Sequence, residues 1–271
     1  MTYVPLTYWD LVLSAMLLIA NGAISWAFRL GLEKNLAVSA ARMVVQLALI
    51  GIVLKFIFAQ SSPFWTLLFA MVMVFAAGVE IVSRLNRRIP AWPLMGLSSA
   101  TLLFVGTLVT MFGVGIVIAP EPWYAPRYVL PILGMVLGNT MTAVALVLES
   151  LSEAVHRERT AIEARLSLGA PRLEALSGPL RSALRTGLMP MLNAMATTGI
   201  VALPGMMTGQ IIAGADPIGA AKYQVMIMFL IAGATALGSL LAAAGGVALL
   251  TDDRHRLRPP RELGPNENAR G

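Results

Sequence analysis

Seven stretches of roughly 20 apolar residues recur along the chain, at about 9–28, 37–58, 64–83, 94–118, 128–149, 187–212 and 224–250. A bilayer core about 30 Å thick is crossed by about 20 residues of helix. Inside it the backbone must satisfy its own hydrogen bonds, which leaves only helices and closed barrels. The seven stretches therefore predict an all-α, polytopic integral membrane protein. Only 13% of the 271 residues are charged and 57% are hydrophobic, with mean hydropathy +0.75, whereas soluble domains carry about 25% charge. That balance excludes a soluble enzyme and a disordered chain. The absence of cysteine excludes thiolate zinc sites, Fe–S clusters and a catalytic thiol. The first ten residues lack a basic n-region, so the first stretch reads as a span rather than a cleavable signal.

The basic residues give the orientation. Arg29, Lys34 and Arg42 follow the first stretch, Arg84, Arg87 and Arg88 the third, and Arg157, Arg159, Arg165, Arg172, Arg181 and Arg185 the fifth. Arg254, Arg256, Arg258, Arg261 and Arg270 follow the last. If seven spans alternate, these 17 of 20 basic residues share one side, and Lys55, Arg127 and Lys222 take the other. Positive residues collect on the cytoplasmic side, so the N-terminus is expected outside and the C-terminus in the cytoplasm of a multi-pass plasma (inner) membrane protein. The same distribution builds no single basic face for nucleic acid, and none is expected as a partner. Trp9, Trp65, Trp92 and Trp123 fall at segment ends, where amphipathic rings favour the interface. Residues 1–250 read as one transmembrane domain. Residues 251–271, polar and rich in Pro and Arg, read as a disordered tail near anionic lipid.

The loop 150–186 is the one sizeable polar element. Leu151, Val155, Ile162 and Leu166 fall within about 60° of one another on a helical wheel, which predicts an amphipathic helix. Gly169 and Pro171 supply stop signals, and a second short segment follows over 172–184. Such a helix either lies on the membrane surface or docks a cytoplasmic partner.

Ionisable groups within a span are costly and are default functional candidates. Glu80 stands four residues before Arg84, a spacing that suits an ion pair, or it ligates a cation. Glu149 closes the fifth span. Asn139, Thr140 and Thr142 project from that span, Asn193, Thr197 and Thr198 from the sixth, and Gln210 follows a Pro204-Gly205 break. Freed carbonyls at such a break suit a gate or a ligand site. The same polar groups also serve as hydrogen bonds between helices. Met206 and Met207 at the break, with Met189, Met191 and Met195, suit either soft-metal ligation or flexible packing. A tentative metal set is thus Glu80, Met206 and Met207. His156 and His255 lie outside the spans, and Asp216 and Lys222 in an external loop. Gly134/Gly138 and Gly238/Ala242/Gly246 read as helix-contact faces.

Glu163-Ala164-Arg165-Leu166-Ser167-Leu168-Gly169 resembles the "EAA…G" loop by which ABC-importer permeases engage their ATPase subunits, with Arg165 in place of the second alanine. Gly134-Met135-Val136-Leu137-Gly138-Asn139-Thr140-Met141-Thr142-Ala143 resembles one signature block of the FetB-type iron-export ABC permeases, a family with plant aluminium-tolerance relatives. The run from Leu203-Pro204-Gly205-Met206-Met207 to Asp216-Pro217 resembles a second. The resemblance extends from about Leu6 to Leu250. It implies a homodimeric export permease for iron or another metal cation, energised by a separate cytoplasmic P-loop ATPase. Coupling would run through Glu149, Arg157, Ile162, Glu163, Leu166 and Gly169, and a pathway through Glu80, Asn139, Thr140, Asn193, Met206, Met207 and Gln210. A nucleotide-sugar or other metal-linked solute is the alternative cargo, and an ion-coupled secondary transporter the alternative machine. No Lys in the sequence follows Gly and precedes Ser or Thr, as a phosphate-binding P-loop needs. ATP hydrolysis is therefore expected in the partner chain, with no cofactor bound by this one.

Overall fold

A computed structural model describes residues 7–60, 62–85, 91–252 and 256–258. Arg87, Arg88, Arg254 and His255, and the tail from residue 259, lie outside them. The described residues are helical, joined by short turns: α1 (Tyr8–Ala27), α2 (Glu33–Gln60), α3 (Pro63–Arg84), α4 (Ala91–Met111) continued by a π-helix (Phe112–Ile118), α5 (Pro126–Arg157), α6 (Arg159–Ser167), α7 (Arg172–Ala175), α8 (Ser177–Thr197), α9 (Gly205–Ile212) and α10 (Pro217–Leu250). Six of these elements are long and apolar enough to cross a bilayer: α1, α2, α3, α4 with its π-helical extension, α5 and α10.

Side-chain contacts give each helix its direction. Gly22 meets Leu36 across the α1–α2 turn. Phe56 stacks edge-on against Trp65 at one end of the α2–α3 pair, and Arg42 meets Glu80 at the other. On α5, Thr140 faces Gly238 of α10, and Leu148 and Leu151 face Gly246, so these helices run parallel. Between them α8 runs back: Gly187 packs on Ala143 and Val147 of α5, whereas Met191 clusters with Met135, Ile227 and Ile231 nearer the other end. α2 and α3 thus run antiparallel, and α5, α8 and α10 alternate in direction. The expected face of small residues on α10 is real, since a Cβ at Gly238 would overlap Thr140 and one at Gly246 would press on Leu151.

The stretch 187–212, expected as one span, is broken. α8 ends at Thr197, Thr198 is extended, Gly199 has φ +90°, and Pro204 caps α9 in an extended conformation. Proline has no N–H to continue a ladder, and the Gly199 N–H donates instead to the Ala202 carbonyl at 2.9 Å. The turn exposes Ile200, Val201 and Leu203. α10 begins seven residues before the expected 224, so Lys222 is helical and Asp216 is its N-cap, accepting from the Gly219 N–H at 2.8 Å.

The loop also differs from expectation. Its apolar stripe is not a separate surface helix, because α5 runs on unbroken to Arg157. Leu151, Val155 and Ile162 are buried and join one core with Ala175, Leu176 and Leu257. The tail is folded in part: Leu257 is 8% exposed, the Arg258 N–H donates to the Leu250 carbonyl at 2.9 Å, and Arg258 Nε donates to that of Thr251 at 3.0 Å.

Candidate functional site

Helix α6 and its return through α7 form an arm beyond one end of the bundle. Its tip is a glycine-terminated helix end. Gly169, at φ +88°, donates to the Leu166 carbonyl at 3.0 Å, and Ala170 donates to that of Arg165 at 3.1 Å. These paired bonds need a left-handed residue, which glycine supplies without a Cβ penalty. Pro171 then caps α7. Arg165, the departure from the resembled motif, donates from Nη1 to the Ala175 carbonyl at 3.3 Å and closes the arm on itself.

This geometry sorts the coupling candidates. Ile162 is fully buried and holds α6 to the core, and Leu166 packs against the same core. Glu149 is half-buried on α5. Arg157 is exposed and pairs with Glu158 at 3.6 Å. Glu163 pairs with Arg159 Nη2 at 2.8 Å. Arg159 also donates from Nη1 to the Arg258 carbonyl at 3.0 Å, so one guanidinium ties the motif carboxylate to the C-terminal segment. The side chain the tip presents is Leu168, 89% exposed, and Leu173 on α7 is exposed as well. Sequence reasoning passed over Leu168, Leu173 and Arg159. The i,i+4 spacing of Arg159 and Glu163 was a readable signal for the last.

The pathway candidates do not gather at one point. Glu80 lies at the arm end of α3, where both its oxygens are engaged: Oε2 by Arg42 Nη2 at 3.0 Å and Oε1 by Arg84 Nε at 3.2 Å. Met206 packs with Met191 and Ile227 toward the opposite end, and Met207 is half-buried beside it on α9. Among the described residues no group of three His, Cys, Asp or Glu could hold a metal ion. Thr140 is buried at the α5–α10 crossing, its hydroxyl without a protein partner. Gln210 buries Oε1 unpartnered. Asn139 is exposed and donates to the Met135 carbonyl at 2.8 Å. Asn193 is exposed on α8, in a groove shared with Leu146 of α5.

Comparisons place this bundle among known proteins. The profile of the Uncharacterised protein family (UPF0014) matches residues 8–250. The Escherichia coli protein named "Probable iron export permease protein FetB" is 34% identical over 248 residues, 92% of this chain and 93% of its own. The rice UPF0014 membrane protein STAR2 is 37% identical over 221 residues, covering 81% and 75%. Arabidopsis Protein ALUMINUM SENSITIVE 3 is 34% identical over 218 residues, covering 80% and 77%. No solved structure matches the chain.

Proposed function

The chain belongs to the UPF0014 family of membrane proteins, and on that premise we propose that it is the permease subunit of an ABC exporter in the plasma (inner) membrane. Its cargo is iron or another metal cation, the reading favoured by the name of the Escherichia coli relative. A separate cytoplasmic P-loop ATPase supplies the energy. The observation that carries this reading is the arm tip. An 89%-exposed leucine sits on a glycine-capped turn, with Glu163 and Arg157 on the helices behind it. An isolated apolar knob rimmed by charge is suited to insertion into a partner's groove. The arm shares its end of the bundle with Arg42, Arg84 and the C-terminal segment, a concentration of basic residues that favours the cytoplasm.

In this reading a downward stroke of the ATPase moves α6, and buried Ile162 transmits it into α5 and α8. The exposed amides of Asn139 and Asn193 line the route of the cargo, and the buried Thr140 hydroxyl and Gln210 amide stand within the packed helices behind it. Met206 and Met207, at the break, serve as soft transient ligands. Glu80, clamped by two arginines, supports the arm end of α3, which leaves the secondary-transporter reading without a free carboxylate there. Elemental analysis tests the cargo. Cells expressing the chain with its ATPase should hold less iron than cells whose ATPase lacks its P-loop lysine, and vanadate should abolish the difference. Equal metal content in all three would refute metal export.

A further inference from the structure

Antiparallel α3 and α4 close on each other at one level and part at another. A Cβ at Gly78 would overlap the Ser99 hydroxyl, so the two helices approach closely there. Eight residues toward the end opposite the arm, about 12 Å along each helix, Ala70 and Thr107 line a cavity of about 200 Å³. Buried Val129 and Leu133 of α5 form its inner side. Trp123 and Tyr124, in the turn before α5, line its end toward the interface. Leu67 and Met111 are exposed on its rim and leave it open to lipid. Thr107 also lines a shallow groove that continues down the outward face of α4, past exposed Phe104 and Leu103 to Ala100.

Apart from Trp123, the polar side chains of the cavity are hydroxyls. Thr66 donates its own to the Ser62 carbonyl at 3.0 Å. Elsewhere in the bundle Thr142 and Thr186 bond four residues back in the same way, each at 3.1 Å. Thr110 does not. It is 2% exposed, and its Oγ1 has no partner within the protein. Two residues further on, α-helix gives way to π-helix at Phe112, a change of register frequent at functional sites. A buried donor left unmatched is costly, and hydrocarbon brings no water to serve it. What reaches Thr110 along the α4 groove is a lipid tail, and its ester carbonyl is an acceptor that needs one donor.

We infer that the cavity between α3, α4 and α5 is a phospholipid site. One tail of a lipid from the leaflet opposite the arm lies in it. Its ester carbonyl accepts from Thr110 Oγ1, and the rest of the tail follows the α4 groove toward the bilayer centre. The depth fits: Pro63, on the rim, starts the α3 span, and Ala70 lies seven residues or about 10 Å deeper. The lipid wedges α3 from α4 beside the π-helix, at the far end of the bundle from the arm, whatever the arm grips.

Photolabelling tests this. The full-length protein is reconstituted in phosphatidylethanolamine–phosphatidylglycerol vesicles with a trace of phosphatidylcholine bearing a diazirine on one tail. That tail is joined to glycerol through an ester in one probe and an ether in the other. Val129 and Leu133, buried from surrounding lipid, should be labelled about fivefold more by the ester probe, since the ether has no carbonyl to bond. Exposed Leu49 and Ile52 of α2 should take both probes alike. Thr110→Val keeps the shape, removes the donor and should make the two probes equal at Val129 and Leu133. Ala70→Phe fills the cavity and should abolish labelling there while sparing α2. Absence of label at Val129 and Leu133, equal labelling by both probes in the parent, an ester preference that survives Thr110→Val, or labelling unmoved by Ala70→Phe would each overturn the inference.

Discussion

Arg42 Nη2 lies 3.0 Å from Glu80 Oε2 and ties the arm end of α2 to that of α3 across 38 residues of sequence. Few other contacts bind α2 to the bundle, and Ile57 is its one buried residue. The pair is exposed on the arginine side, so its worth is modest, about 0.5–1 kcal/mol. A double-mutant cycle of Glu80→Gln and Arg42→Ala should return that coupling energy in thermal unfolding, with transport retained. Lost transport at unchanged stability would identify Glu80 as a ligand.

Gly169 holds the arm tip at φ +88°, where a side chain costs about 1–2 kcal/mol. Gly169→Val should loosen the tip and weaken ATPase binding, whereas Gly169→Asn, which tolerates this conformation, should retain most of it. Similar binding by both variants would mean the turn is not what the partner reads.

Leu257 is buried against the arm, and Arg159 grips the carbonyls of residues 257 and 258. Truncation after Asp252 should therefore speed amide exchange across α6, even without a partner. Leu257→Ala should do the same, with a cost of about 2 kcal/mol. Unchanged exchange in α6 would show that the segment does not brace the arm.

A Cβ at Gly187 would overlap Val147 and stand 2.9 Å from the Ala143 carbonyl. Gly187→Ala should force α8 away from α5 and cost about 1–3 kcal/mol by overpacking. Gly138 has open space around it, so Gly138→Ala should leave thermal stability nearly unchanged. Equal losses would place the close approach elsewhere.

Of the seven expected spans, the stretch 187–212 was misread, because hydropathy does not register the break between Thr197 and Gly205. The other six were legible, because a bilayer imposes a length that an apolar run reports directly. The Gly169–Pro171 stop was legible for a related reason: backbone chemistry dictates it locally. The end of α5 was not, since helical periodicity continues past the membrane and hydropathy marks the lipid boundary rather than the last hydrogen bond. Ile162 shared its stripe with surface-helix residues, and only the packing of α7 and Leu257 decides that it is core. Leu257 gave no signal, being one apolar residue among arginines and prolines. The contact of Glu80 with Arg84, four residues on, is visible in the sequence spacing, but Arg42 is brought to it by the fold.

The proposed coupling to a motor subunit rests on the exposed Leu168 tip. Affinity capture of the tagged chain with its P-loop ATPase, parent against Leu168→Asp, tests it most directly. Burial of a leucine side chain contributes about 2 kcal/mol, so retained ATPase should fall at least tenfold, with membrane insertion unchanged. Full retention of the ATPase by the Leu168→Asp chain would contradict the account.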